Sequence, residues 1–388
     1  MSYNMNKNEE YYLLELDKID WDFSDELTNS LTHAFHPYPA KFIPQIPRVF
    51  ITLMTNPGDT VYDPFLGCGT TAVEANANGR NAIGNDVNEL AVLISKVKTS
   101  PLKDEQLAMI DIFLSKCKGE IESSYKNNLI LDKPNILNLD LWFKDYVINE
   151  ISIIKQEIKK INDLDVQDFC FVALSSIIVS VSNQDSDTRY VRVSKNINNG
   201  ETFLRFERQL RKLSRMMNIS KSSLAKGRSR LIIADSRVND IFPANSSHLA
   251  ITSPPYPNAY DYHLYHKYRL FWLDMDPYAL RKREIGAHAD YSKKNGSNEF
   301  DFENDMNACF KCTSNILLPK SFFVLVMGNS ILKGRLIDNS ELLKESAKST
   351  PFIFVKEYER KIKLSKKSFN PVIGNIKYEK ILIFRNEK

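Results

Sequence analysis

Short apolar runs alternate with segments of helical periodicity along much of the chain, which is typical of an α/β fold. Isoleucines at positions 148, 151, 154, 158 and 161 recur at helical spacing and predict a helix over residues 147–161. Ser321–Met327 predicts a buried strand, and Phe352–Tyr358 with Tyr378–Phe384 predict a closing antiparallel pair. Four shorter apolar runs that end in polar or turn-forming residues predict further strands, namely Val61–Tyr62, Ala82–Ile83, Leu231–Ile233 and Leu249–Ile251.

The first short strand continues into a glycine-containing turn. Residues 63–71 read Asp-Pro-Phe-Leu-Gly-Cys-Gly-Thr-Thr, and a helix-like segment extends from Thr70 to Asn78. Glycines allow a sharp turn and a close approach of the backbone to a ligand, as in dinucleotide-binding turns. The turn lacks both the third glycine of the dinucleotide fingerprint and the lysine of a phosphate-binding loop. It therefore predicts a nucleotide-type site without a phosphate clamp.

Two further strands are predicted to end in an acidic residue. Asp86 follows Ala82-Ile83-Gly84-Asn85, and Asp235 follows Leu231-Ile232-Ile233-Ala234. An acid at the end of the second strand of a nucleotide-binding fold accepts hydrogen bonds from ribose hydroxyls. Asp86 is thus a candidate ribose ligand, and Asp235 is a candidate acceptor for an adenine amino group.

The strand Leu249–Ile251 runs into the turn Thr252-Ser253-Pro254-Pro255-Tyr256. Proline fixes φ and has no N–H, so two consecutive prolines hold a rigid extended turn whose carbonyl groups need donors from elsewhere. The Ser253 hydroxyl adds an acceptor, and Tyr256 adds an aromatic face. This turn suits a planar substrate that carries an amino group, such as a nucleobase, although the same sequence also occurs as simple loop punctuation.

Composition indicates an ordinary globular protein. The 388 residues are 43% hydrophobic and 26% charged, the amino terminus is polar, and no apolar run approaches the ~18 residues of a membrane span. Cys309 and Cys312 form the only close cysteine pair, without a second pair or a histidine cluster nearby. Buried reduced thiols are the better interpretation than a zinc or redox site, so we expect no metal and a cytoplasmic location.

One segment is strongly basic although the whole chain is only +4. Residues 188–230 contain twelve lysines and arginines and only two acids, Glu201 and Glu207, a local net charge of +10. One-signed charge at helical spacing favours contact with nucleic-acid phosphates over a solvated helix face. The candidate DNA-binding residues are Arg189, Arg192, Arg205, Arg208, Arg211 and Arg215, and Lys363, Lys366 and Lys367 are further candidates.

The glycine turn and the Ser-Pro-Pro-Tyr turn together resemble the amino-group DNA methyltransferases that use S-adenosylmethionine. The serine form of the second turn resembles the N4-cytosine subgroup, and His36-Pro37-Tyr38-Pro39-Ala40-Lys41-Phe42 resembles the segment that closes the cofactor pocket in that family. The resemblance implies catalytic roles for Ser253, Pro254, Pro255 and Tyr256. It implies a cofactor site formed by Lys41, Phe42, Asp63, Phe65, Gly67, Gly69, Thr70, Thr71, Asp86 and Asp235.

The resemblance also implies an organisation. We expect a Rossmann-like class I methyltransferase core in residues 1–100 and 230–388, with a helical, basic insertion at 101–229 that contacts DNA. The insertion precedes the Asp235 strand, whereas the family's recognition region follows it, so sequence reading by the insertion alone is an open question. The implied substrate is double-stranded DNA, and a cognate restriction endonuclease is an expected partner in the cell.

Other activities remain open from the sequence. An N6-adenine DNA methyltransferase, an RNA amino-methyltransferase and a non-catalytic DNA-binding relative share parts of this pattern. The non-catalytic alternative would have lost the glycine turn or the acids, and both are present. Methylation at cytosine C5 needs a cysteine nucleophile, usually in a Pro-Cys pair, and the chain contains no Pro-Cys.

Overall fold

The computed structural model describes residues 9–127, 133–134, 136–187, 189–293, 296–362 and 378–388, so the candidates Lys363, Lys366 and Lys367 lie outside the described residues. The helices are α1 (Glu9–Leu16), α2 (Gln45–Met54), α3 (Thr70–Ala77), α4 (Glu89–Thr99), α5 (Asp104–Asn127), α6 (Leu139–Trp142), α7 (Asp145–Lys159), α8 (Leu164–Val181), α9 (Glu201–Leu224), α10 (Tyr262–Tyr265), α11 (Lys267–Trp272), α12 (Pro277–Arg281), α13 (His288–Tyr291), α14 (Glu299–Ile316) and α15 (Asn339–Ala347). The strands are β1 (Thr60–Asp63), β2 (Asn81–Asp86), β3 (Gln184–Ser186), β4 (Arg189–Arg192), β5 (Ser229–Ile233), β6 (Ser247–Thr252), β7 (Leu317–Gly328), β8 (Ser330–Leu332), β9 (Arg335–Ile337), β10 (Phe352–Lys361) and β11 (Tyr378–Asn386).

A central sheet of seven strands has the order β10-β11-β7-β6-β1-β2-β5. Strands β5, β2, β1, β6 and β7 are parallel, and β11 pairs antiparallel with both β7 and β10. The chain passes from β1 outward to β2 and β5 and then returns to β6 on the other side of β1. This reversal makes a topological switch point, where ligands bind beyond the carboxyl ends of the strands. The Rossmann-like α/β prediction is confirmed.

Side chains of the central strands alternate between two buried layers, as the two-residue period of a strand requires. Along β7, Val324 and Val326 pack with the layer that contains Trp21, Ile46 and Phe50. On the opposite face, Phe323 and Leu325 pack with the layer formed by α14 and α15. Because both faces are covered, the carboxyl edge of the sheet is left to hold the site.

The predicted insertion consists of α5 to α9 and the β3–β4 hairpin. Its apolar stripes form one core with Val73, Leu90 and Ile94 of α3 and α4, as expected from their helical spacing. Helix α9 begins beside Glu150, which accepts hydrogen bonds from the backbone N–H groups of Gly200 and Phe203 at 2.8 Å each. The insertion is therefore packed directly onto the cofactor half of the sheet.

By length and composition one helix within the described ranges, α8, could cross a membrane, contrary to the expectation that no apolar run reaches that length. Most of α8 is buried, and residues such as Phe169, Leu174 and Ile178 belong to the core that joins the insertion to α4. The apolar character of α8 is accounted for by its packing inside the protein.

Candidate active site

A cavity of about 820 Å³, which includes space open to solvent, lies at the carboxyl edge of β1, β2 and β6. Segments from both halves of the predicted core form its walls, as a switch-point crevice requires. The wall residues are Tyr38, Ala40, Lys41, Phe42, Phe65, Leu66, Gly67, Cys68, Thr70, Asp86, Val87, Asn88, Asp235, Ser236, Ser253, Pro255, Tyr262, Leu280, Arg283, Glu284 and Ile285.

The glycine turn between β1 and α3 forms the floor of this cavity. Gly67 and Gly69 have φ values of +48° and +78°, a region that side chains other than glycine rarely adopt. A Cβ on Gly69 would lie 2.7 Å from the Ser95 hydroxyl oxygen, so packing against α4 also requires glycine there. Helix α4 holds the turn from below, because Ser95 Oγ donates to the Gly67 carbonyl at 3.0 Å and Lys98 Nζ donates to the Cys68 carbonyl at 2.8 Å.

Asp86, at the end of β2, lies on the cavity wall and is fixed by two backbone donors. Its Oδ2 accepts from the Gly67 N–H at 2.8 Å, and its Oδ1 accepts from the Asn88 N–H at 2.9 Å. Burial raises the pKa of Asp86 to about 6, against the lowering effect of these two hydrogen bonds. Each carboxylate oxygen retains a lone pair for a further donor, so Asp86 can accept from a ligand diol.

Three predicted cofactor residues, Asp63, Gly69 and Thr71, lie outside the cavity wall. Asp63 Oδ1 instead accepts from the Thr252 hydroxyl at 2.6 Å and from the Phe65 N–H at 3.1 Å. Burial raises the pKa of Asp63 to about 6. The Thr71 hydroxyl donates to the Ile251 carbonyl at 3.3 Å. Asp63 and Thr71 therefore tie the end of β1 to the end of β6 and hold the two turns side by side.

Asp235 reaches the cavity wall, but its carboxylate is engaged by a neighbour. Arg237 donates from Nε to Oδ1 at 2.9 Å and from Nη2 to Oδ2 at 2.6 Å, and its Nη1 donates to Asp305 at 2.9 Å. Although burial opposes it, the Arg237 guanidinium holds the pKa of Asp235 below its ordinary value. Asp235 is therefore an anionic acceptor that is already oriented, with fewer free lone pairs than the sequence suggested.

The Ser-Pro-Pro-Tyr turn follows β6 directly and lies beside the glycine turn, since Val61 and Tyr62 pair with Leu249 and Ala250. Ser253 and Pro255 line the cavity, whereas Pro254 is buried. No donor among the described residues reaches the Pro254 carbonyl. Tyr256 is half-buried against the cluster that also contains the wall residues Phe65 and Ile285, although Tyr256 is not itself a wall residue. The turn thus offers the Ser253 hydroxyl as an acceptor at the cavity wall.

Several wall residues have no motif in the sequence. Arg283 donates to the Val87 carbonyl at 2.9 Å, and Glu284 accepts from both the backbone N–H and the Nδ1 of His263 at 2.6 Å. Tyr262 stacks on Tyr38 with ring centroids 6.1 Å apart. Tyr38 lies in the segment 36–42 that resembles the pocket-closing segment of the family, so the sequence did point to this part of the wall. Arg283 and Glu284 lie in a polar stretch that carries no such signal.

The six candidate DNA-binding arginines fall on β4 and α9. Arg205 is paired with Glu201 and also donates to the Ser180 carbonyl at 3.0 Å. Arg211 is paired with Glu207 and with Asp111 of α5. Arg189 lies 3.5 Å from Asp185. In contrast, no ion pair within the described part of the chain involves Arg192, Arg208 or Arg215. With Lys212 they are exposed cations free to meet phosphates.

The sheet order and the two adjoining turns define a Rossmann-like core with a nucleotide-type cavity. Residues 3–97 match the family model N6_N4_Mtase, described as DNA methylase. The chain is 26% identical over 414 residues to Type II methyltransferase M.MvaI of Kocuria varians, covering 91% of this chain and 90% of the relative. It is 33% identical over 139 residues to Type II methyltransferase M.MjaII of Methanocaldococcus jannaschii, covering 33% of this chain and 26% of the relative. The chain is thus similar to the N6_N4_Mtase family over residues 3–97 and to Type II methyltransferases.

Among solved structures, the fold is similar to a TehB-like SAM-dependent methyltransferase from Corynebacterium glutamicum. The TM-score is 0.32 at 8% identity, and the alignment covers 88% of this chain and 86% of that one.

Proposed function

We propose that the protein is a site-specific DNA methyltransferase that transfers a methyl group from S-adenosylmethionine to the N4 amine of cytosine in duplex DNA. The observation that carries the proposal is that the glycine turn, Asp86 and the Ser253–Pro255 turn line the same cavity. A cofactor and an extruded base could therefore meet without a conformational change of the sheet.

The residues present fit S-adenosylmethionine. Asp86 offers acceptors for the two ribose hydroxyls, and Asp235 with Ser236 lies on the same wall for the adenine edge. Phe42 and Lys41 come from the segment that would close over the ligand. Glycine at position 69 allows the turn to pack closely against Ser95 of α4, which supports the turn that lines the cavity. When bound, the cofactor supplies an activated methyl group.

The chain's own residues then act by position and by hydrogen bonding. We propose that Tyr256 supports a base turned out of the duplex, as enzymes that modify bases require. The Ser253 hydroxyl and the Pro254 carbonyl accept hydrogen bonds from the two N–H groups of the exocyclic amine. This localises the nitrogen lone pair, which otherwise spreads into the ring. Orientation and electrostatics provide the acceleration, and no covalent enzyme intermediate is needed.

The target base is the finer part of this proposal. Ser253 is neutral and shorter than an aspartate or asparagine, so it adds no charge to the pocket, and its hydroxyl can also donate to the ring nitrogen beside the amine. Both cytosine and adenine carry such a nitrogen, so the preference for cytosine rests on the resemblance of the turn. An N6-adenine product is the main alternative, and an RNA substrate is the second. Labelled cofactor offered with DNA or with RNA separates a DNA enzyme from an RNA enzyme.

The relatives' names describe Type II methyltransferases. We propose a corresponding role in restriction–modification, in the cytoplasm, with a cognate endonuclease that cuts the same sequence where it is unmethylated. Exposed Arg192 on the hairpin and the cations of α9 would face the DNA.

Cofactor binding is expected to depend on the ionisation of Asp86. Its raised pKa of about 6 means that it is protonated at pH 5 and ionised at pH 7.5. A protonated carboxyl accepts ribose hydroxyls poorly, so affinity should fall about tenfold from pH 7 to pH 5. Calorimetry across this range checks the expectation. Asp63 titrates in the same range but lies outside the cavity wall, so an Asp86→Asn variant should lose the dependence; a variant that keeps it would assign the titration elsewhere.

The unpaired cations of α9 are expected to carry most of the salt-dependent affinity. Replacing Arg208, Lys212 and Arg215 with alanine should reduce the log–log salt slope of DNA binding by about 0.9 for each phosphate that is no longer neutralised. The matched control replaces Arg205 and Arg211, which are already paired with acids, and should change the slope much less. Equal slopes for the first variant and the wild type would show that α9 does not contact DNA.

A further inference from the structure

The hydroxyl of Tyr256 is attached to the carboxyl-terminal strand. It donates to Glu379 Oε1 at 3.4 Å, across 123 positions of sequence. Glu379 lies near the start of β11 and is the Cα partner of Gly328 at the end of β7. Burial, followed by the charge of Glu379, raises the pKa of Tyr256 far above its ordinary value, so the hydroxyl stays protonated and acts as the donor.

Glu379 is itself held in one orientation. Its Oε2 accepts from Arg360 Nη1 at 2.7 Å, and these two residues are Cα partners in the β10–β11 pair. Arg360 is buried, with 7% of its surface exposed, and its Nε donates to the Trp21 carbonyl at 3.2 Å. One carboxylate oxygen is thus occupied by Arg360, and the other is left for Tyr256.

This arrangement fixes both ends of the tyrosine side chain. The backbone end is set by the two prolines of the turn, and the ring packs against the cluster that also contains wall residues of the cavity. The Gly328 backbone and the Ser253 side chain also contact the hydroxyl, and Glu379 adds a charged acceptor that restricts rotation of the half-buried ring. A fixed ring has a lower entropic cost of receiving a base than a mobile one.

We propose that Glu379, oriented by Arg360, is a positioning residue that holds the ring of Tyr256 for the target base. This inference rests on the proposed function, because it assigns Tyr256 to the base. Glu379 acts through Tyr256 and does not touch the substrate.

The test is a double-mutant cycle on Glu379→Ala and Tyr256→Phe. Initial rates are measured with labelled S-adenosylmethionine on unmethylated phage DNA, and cofactor affinity is measured separately by calorimetry. Each single variant should lower kcat about tenfold, as expected for loss of a hydrogen bond to a charged group, and leave cofactor affinity unchanged. The double variant should also lose about tenfold rather than a hundredfold, because both changes remove the same hydrogen bond. Glu379→Gln keeps an acceptor oxygen and should retain most of the activity.

The matched control is Glu359→Ala, an exposed acid on the neighbouring strand, which should behave as wild type. Multiplicative losses in the double variant, or a wild-type kcat for Glu379→Ala, would overturn the inference. If Glu379→Ala does not fold, Tyr256→Phe decides, since a wild-type kcat for that variant also overturns it. A wild-type enzyme that methylates no DNA contradicts the proposed function, an outcome distinct from either of these.

Discussion

An Asp86→Ala variant is expected to bind S-adenosylmethionine about 10- to 100-fold more weakly than the wild type. The change removes the proposed acceptor of the ribose hydroxyls, a loss of ~1 to 3 kcal/mol for charge-assisted hydrogen bonds. It also removes the acceptor for the Gly67 and Asn88 N–H groups, so two hydrogen bonds that orient the backbone at the cavity wall are lost. Isothermal calorimetry with purified protein gives the affinity directly.

The control for Asp86 is Glu89→Ala. Glu89 is an acid three positions later, in the first turn of α4, and it does not line the cavity. Its replacement should leave cofactor affinity within about twofold of the wild type, because an acid away from the ligand contributes little. Unchanged affinity in the Asp86 variant would contradict the assignment of the ribose site.

A Ser253→Ala variant is expected to lower kcat by about 10- to 100-fold while cofactor affinity stays the same. The hydroxyl is proposed to accept a hydrogen bond from the target amine. Its loss leaves that amine with one acceptor, the Pro254 carbonyl. Because Ser253 follows β6 whereas Asp86 ends β2, with β1 between the two strands, the contacts of Asp86 with the cofactor should persist. Single-turnover rates and calorimetry on the same preparation separate the two effects.

Ser246→Ala provides the matched control for Ser253. Ser246 precedes the same strand and is half-buried, and its hydroxyl donates to the Pro243 carbonyl at 2.7 Å. It should show the wild-type rate. If Ser253→Ala also shows the wild-type rate, the serine does not accept a catalytic hydrogen bond, and other groups must bind the amine N–H groups.

The sequence predicted the sheet and its two turns because their signals are local. Buried strands that end in glycine, proline or acidic residues need only a few neighbouring positions to be recognised. The helix predicted at 147–161 corresponds to α7, and the closing antiparallel pair corresponds to β10 and β11. The chain after the Ser-Pro-Pro-Tyr turn forms two short helices, α10 and α11, which are divided at His266. Tyr38 packs on the His266 ring at 4.9 Å, a tertiary contact that local spacing cannot report.

The parts of the site that the sequence did not predict depend on distant partners. The resemblance placed Asp63 in the cofactor site; in the structure it accepts a hydrogen bond from Thr252, 189 positions later, and lies outside the cavity wall. Arg211 was predicted to contact DNA, and in the structure it also forms an exposed ion pair with Asp111 of α5. Glu379 carries no motif and reaches Tyr256 only because β11 returns beside β7. Hydrogen bonds and ion pairs between residues that are distant in sequence set the surroundings of these side chains. The hydrophobic periodicity of the sequence contains no information about such pairs.

The most direct test of the account is the identity of the methylated nucleoside. Unmethylated DNA is incubated with the protein and S-adenosylmethionine, digested to nucleosides and resolved by mass spectrometry, with a Ser253→Ala reaction alongside. We expect N4-methyl-2′-deoxycytidine as the sole new product with the wild type, and a strongly reduced amount of it with the Ser253→Ala variant. N6-methyladenine as the sole product would contradict the assigned base, and the absence of any methylated nucleoside would contradict DNA methylation itself.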